Sequence, residues 1–225
     1  MAGCIYCIDN DILKKLATFD LFDQTLALFN ASRQQVNILG TAQYKFQKDL
    51  DKLKKGKVRS HKDNFANYEK TIELAKCLPQ MVQSNVKMGL FQELSGIEGV
   101  DQGEAILTSY VVETIQQDKS AQVSILTGDK NYLRALANVE IPIVQASLTH
   151  NLWCLEQIIL KNIETHGFEF VRDKVVPFRE CDQAIKAVFG SSSMSTPKNS
   201  LSALESYIKE LREETGNLLH PYPNQ

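Results

Sequence analysis

Acidic residues recur in one kind of position along the chain. Asp9 follows the apolar run "CIYCI" and opens a segment of helical period, and Asp129 does the same after "VSILT". Asp101 and Glu104, in "VDQGEAIL", fall on the first turn of a third such segment and, three apart, share one helix face. Carboxylates gathered on one edge repel one another unless a cation sits between them, and all-oxygen ligands select hard ions such as Mg2+ or Mn2+. The chemistry that the residues indicate is the binding of such an ion. Each acid also has a structural reading. Aspartate is a favoured helix N-cap, and "DQGE" has the spacing of a capping box. The recurrence of the position favours metal over capping alone. Gly103, a poor helix former inside that box, points to a close approach there.

The elements that must position these acids alternate. Short apolar runs at 4–8, 36–39, 122–127 and 140–144 ("EIPIV") are expected as buried strands. Helical periodicity separates them, with no two-residue hairpin turns, which predicts a parallel sheet covered on both faces. A helix is expected over "LTHNLWCLEQIILKNI", with Trp153 in its core face. In such a sheet ligands collect beyond the carboxyl ends of the strands, where Asp9 and Asp129 would be neighbours if their strands are adjacent. Residues 190–200 ("GSSSMSTPKNS") are expected as a flexible linker, and 201–216 as an amphipathic helix that packs on the body, on another copy or on a partner.

At 225 residues, 43% apolar and 23% charged, the chain has enough material for a real core. A net charge of −2 gives no global attraction to polyanions, so nucleic-acid binding would need a local patch. The segment 45–62 is lysine-rich, and Lys54, Lys55, Lys57 and Arg59 are its candidate backbone contacts. Phe65, Tyr68 and His61 are nearby rings that could stack on bases, although core packing is the commoner fate of the first two. Five scattered cysteines fit reduced thiols. Cys4 and Cys7, three apart on a strand, point to opposite faces and cannot share a zinc. No apolar run approaches the roughly 18 residues of a membrane span, nor is there a signal peptide, so a cytoplasmic location is expected.

The ordered set "CIDNDIL", "GVDQGEAIL", "SILTGDKNYLRAL" and "EIPIVQASLTHNL" resembles the PIN-domain nucleases, among them toxin–antitoxin ribonucleases, over about residues 4 to 160. The resemblance implies a three-layer α/β/α fold around a parallel sheet. It divides the chain into a PIN-like domain (1–165), a helical extension (166–189), the linker and the C-terminal helix. It implies a metal-dependent ribonuclease, with Asp9, Asp101, Glu104 and Asp129 on Mg2+ or Mn2+ and Thr127 orienting water or a ligand. It further implies an RNA substrate, a homodimer, and a regulatory partner engaged through the C-terminal helix, as in a toxin or defence system. One expected acid is missing: Gln43, Tyr44 and Lys45 stand where the helix after the second strand should carry a glutamate. Loss of activity, leaving a binding module, is therefore an alternative. A phosphatase of the haloacid dehalogenase class, suggested by "DND" and "GDKN", is a weaker one.

Overall fold

The computed structural model of the protein describes residues 4–57, 60–81, 86–190 and 195–223. Four strands, β1 (Ile5–Ile8), β2 (Val36–Ile38), β3 (Val123–Thr127) and β4 (Leu152–Cys154), form a parallel sheet in the order β2-β1-β3-β4. The chain leaves β1 toward one edge and β3 toward the other. The strand order therefore reverses between β1 and β3, which opens a crevice beyond their carboxyl ends.

Every residue of β3 and β4 is buried, and so are the last three of β1, as parallel strands covered on both faces require. The covering helices are α1 (Asn10–Thr18), α2 (Phe22–Leu28), α3 (Ala42–Lys54), α4 (Tyr68–Cys77), α5 (Met88–Ser95) and α6 (Gln102–Gln117). They continue with α7 (Lys130–Ala137), α8 (Pro142–Leu148), α9 (Leu155–His166), α10 (Phe168–Val175), α11 (Gln183–Phe189) and α12 (Pro197–Thr215). The architecture is α/β and consistent with three layers. No helix among the described residues is long and apolar enough to cross a membrane.

Three expected elements differ. "EIPIV" is not a strand: Ile141 is the N-cap of α8 and Pro142 its first residue. Proline suits a first helical position and cannot donate to a strand ladder. The fourth strand is instead "LWC", inside the segment expected as one long helix. His150, in left-handed backbone (φ 61°), breaks that segment, so Trp153 is a strand residue and α9 starts only at Leu155. Finally, α12 begins at Pro197, inside the expected linker, because the Thr196 hydroxyl caps it by accepting from Asn199 N–H at 3.3 Å. Residues 191–194 of that linker lie outside the described residues.

The C-terminal part is built into the body. Leu204, Ile208 and Leu211 of α12, with Ile185 and Phe189 of α11, belong to the same hydrophobic cluster as the strands. Helix α12 packs on α7, α9 and α11, so the apolar face expected to grip a partner is covered by this chain. The tail then runs beside β4: His220 N–H donates to Leu152 O at 2.7 Å, and Leu152 N–H to Leu218 O at 3.1 Å. His220 also stacks on Trp153, with ring centroids 4.0 Å apart. At the opposite edge Met81 N–H donates to Ile38 O at 2.9 Å. Both sheet edges are thus covered, which blunts edge-to-edge pairing.

Candidate active site

The acids meet at the reversal of strand order. Asp9 ends β1, caps α1 by accepting from Ile12 N–H at 2.6 Å, and is only 6% exposed. Its second carboxylate oxygen accepts the hydroxyl of Thr127, at the end of the adjacent strand β3. The same hydroxyl accepts Asp129 N–H at 3.1 Å. Thr127 is fully buried and its hydroxyl is directed to Asp9. It ties the two acid-bearing strand ends together.

Asp129 caps α7 through one oxygen, Oδ1, which takes Asn131 N–H at 2.8 Å and Tyr132 N–H at 3.2 Å. On α6 the capping box is present: Glu104 N–H donates to Asp101 Oδ1 at 2.8 Å, and Asp101 N–H to Glu104 Oε2 at 2.7 Å. Gly103 inside the box marks a close approach, since an added Cβ would come within 2.9 Å of Leu39 Cδ1. Capping therefore uses one oxygen of each of these three acids. Among the described residues, Asp101 Oδ2, Glu104 Oε1 and Asp129 Oδ2 accept no hydrogen bond.

The four acids line a single cavity of about 160 Å3, together with Asn10, Asp11, Leu39, Gly103 and Lys45. Their mutual repulsion is visible in the carboxyl groups. Glu104 is pushed up to about 8, first by burial and then by the charges of Asp101, Asp129 and Asp9, against the pull of Asp101 N–H. Asp9 is raised to about 6 by burial and by Asp11, opposed by its two hydrogen bonds and by Lys15. Asn10 Oδ1 is buried without a hydrogen-bond partner. Among the described residues no three His, Cys, Asp or Glu side chains are drawn into a shell that would hold an ion as they stand. The donor set nonetheless fits a hard divalent ion in kind, being all oxygen.

Helix α6 and helix α7 are joined beneath the cavity by a buried hydrogen bond of 2.6 Å between the hydroxyls of Thr108 and Tyr132. Thr108 lies one turn below Glu104, and Tyr132 lies in the first turn of α7. Tyr132→Phe is expected to destabilise the fold by about 1–3 kcal/mol, because it strands a buried hydroxyl. Urea denaturation measures it.

Asp11 and Asp129 also line a larger cleft of about 510 Å3. Its floor is Lys15, which is 5% exposed and pairs with Asp11 and, at 2.6 Å, with Asp182. Burial works against ionising either acid, but the Lys15 ammonium outweighs it and holds both carboxyls below their ordinary range. Gly128 makes room for this pairing: a Cβ there would come within 2.6 Å of Asp11 Oδ2 and 2.8 Å of Lys15 Nζ. Sequence reasoning missed Lys15 and Asp182. The first reads as one more polar position of an amphipathic helix, and the second is a remote N-cap.

The described candidate backbone contacts of the basic segment do not line the acid cavity. Lys54, Lys55 and Lys57 are exposed, line neither the cavity nor the cleft, and Lys54 pairs with Glu69 at 3.6 Å. Arg59 lies outside the described residues. Lys62 and Ser60, next along the chain, do line the cleft. Tyr68 is buried in the core and not free to stack on bases. Neither protein-family models, nor curated proteins, nor solved structures give a match to this chain.

Proposed function

We propose that the protein is a divalent-metal-dependent ribonuclease of the PIN-like kind, cleaving phosphodiester bonds of single-stranded or structured RNA. The observation that carries this reading is that Asp9, Asp101, Glu104 and Asp129 share one cavity at the reversal of strand order, three of them with an oxygen left over after capping. Mg2+ or Mn2+ held there would lower the pKa of a water and offset the charge that builds on the phosphate. Asp9, Glu104 and Asp129 are the ligands and Asp101 supports them. Thr127 fixes the spacing of Asp9 and Asp129. In the hydrolysis the water oxygen bonds to phosphorus, the bond from phosphorus to the leaving sugar oxygen breaks, and the water's proton ends on that oxygen or in solvent.

A second reading, a PIN-like binding module without activity, is favoured by the absence of a ready three-ligand shell among the described residues. The phosphatase reading is weakened because Asp11, the second acid of its motif, is engaged by Lys14 and Lys15.

Asp129→Asn separates the first two. Asparagine is as good an N-cap as aspartate, so the fold persists while the charge is lost. RNA cleavage in Mn2+ is expected to fall by roughly a hundredfold or more, with an unchanged circular dichroism spectrum. Equal cleavage by both proteins would remove Asp129 from the site, and no cleavage or Mn2+ binding by wild type would leave the binding module.

A further inference from the structure

The cavity holds one cation of its own. Helix α3 starts just past β2, whose neighbour in the sheet is β1, so its first turn lies on the edge where β1 delivers Asp9. Lys45, in that turn, lines the cavity with the four acids. It is exposed, and among the described residues it forms no ion pair with any carboxylate. Most cations of the adjoining cleft behave differently: Lys14, Lys15, Lys130 and Arg134 are each held by an acid within 4.0 Å, while Lys62, like Lys45, is in no ion pair among the described residues.

A lysine that lines the cavity and pairs with none of its four acids does not neutralise them in this arrangement. It is left for a further anion. The anion that the nuclease reading brings here is a phosphodiester, which must approach four acids whose repulsion a single divalent ion offsets only in part. A carboxylate at the position of Lys45 would add a ligand and favour a second ion. A lysine there opposes a second ion by direct repulsion and offers its own charge to a non-bridging phosphate oxygen.

Resting on the nuclease reading above, we propose that Lys45 contacts the scissile phosphate at this cavity, in the place of a second divalent ion, so that the cavity binds a single ion. Lys45 makes and breaks no covalent bond. It binds the phosphate and stabilises the charge that grows on it as water adds.

The test compares the full chain with Lys45→Met, Lys45→Arg and Lys45→Glu, all at an exposed position that the fold tolerates. Mn2+ is titrated by calorimetry, and a labelled oligouridylate is bound in Ca2+ at several salt concentrations. Wild type is expected to take up one Mn2+ per chain. Lys45→Met should keep that stoichiometry, bind the oligouridylate about tenfold more weakly and lower the salt slope by about one. Lys45→Arg should restore most of the affinity, and Lys45→Glu should bind a second Mn2+. Two Mn2+ on wild type, or an unchanged affinity and salt slope in Lys45→Met while wild type binds Mn2+ and cleaves RNA, would overturn the role of Lys45 and leave the nuclease reading standing. Absence of both Mn2+ binding and cleavage in wild type would overturn the two together.

Discussion

Glu104→Gln is expected to make the metal-free protein more stable than wild type at pH 8 while abolishing its response to Mn2+. The Glu104 carboxyl is pushed up to about 8, by burial first and then by the charges of Asp101, Asp129 and Asp9. A carboxyl whose folded pKa lies above its unfolded value stabilises the fold below the unfolded value, and that contribution is lost as pH rises through the folded one. For Glu104 the loss runs from about 4.5 to about 8, and for Asp9 from about 4 to about 6. Asp11 and Asp182, held below their ordinary range, act with the opposite sign, so their contribution disappears only in acid. Metal-free wild type should therefore melt at progressively lower temperature from pH 5 to pH 8.

Glutamine removes the Glu104 part of that loss and keeps the capping box, since its side-chain oxygen can still accept Asp101 N–H. For a chain of this size each kcal/mol moves the midpoint by roughly 2–4 °C, so thermal melts in EDTA and in Mn2+ across this range resolve the effect. Wild type should be rescued by Mn2+ at pH 8 and the variant should not. A variant that still gains stability from Mn2+ would remove Glu104 from the ligand set.

Lys15→Met should cost about 3–5 kcal/mol of folding free energy, as removal of one partner from a buried ion pair does. Methionine fills the volume of the lysine stem but leaves Asp182 without its cation and Asp11 with only Lys14, at 3.6 Å. Replacing both acids by asparagine in the same chain should return most of the loss, because the desolvated charges are then gone. Asparagine also preserves the cap that Asp182 gives α11 through Ile185 N–H at 3.0 Å. Urea midpoints of the single and the combined variants measure both effects. A loss below about 1 kcal/mol in Lys15→Met would mean that the pairing contributes no more than an exposed salt bridge.

The two variants probe residues of very different legibility. Glu104 was visible in the sequence because its spacing from Asp101 is set by the helix that both open, and Asp9 and Asp129 because each directly follows an apolar run. Local periodicity likewise places β1, β2, β3 and most helices. It fails at "EIPIVQASLTHNLWC", where the three apolar residues of "LWC" make a strand and the four of "EIPIV" do not. What decides there is Pro142 at a helix start and the left-handed backbone of His150, neither of which alters hydrophobic period. Lys15 and Asp182 lie 167 positions apart, and their contact exists only because α11 returns to α1. No local pattern records such a meeting. Lys45 falls between these cases: its position was marked as lacking an expected acid, but that its charge is unpaired is known only from the cavity around it.

The hydrogen bond from Thr127 to Asp9 joins residues 118 positions apart, and this has a consequence during synthesis. Strand β1 emerges from the ribosome early, while its partner β3 follows more than a hundred residues behind. At about 5–20 residues per second the interval is on the order of ten seconds, during which the "IYCI" run has at most β2 beside it. The nascent chain therefore carries a sticky, half-paired strand and no assembled acid site until most of the protein has been made. Nascent chains should recruit chaperones through this N-terminal segment, and the four acids should come together only late in translation.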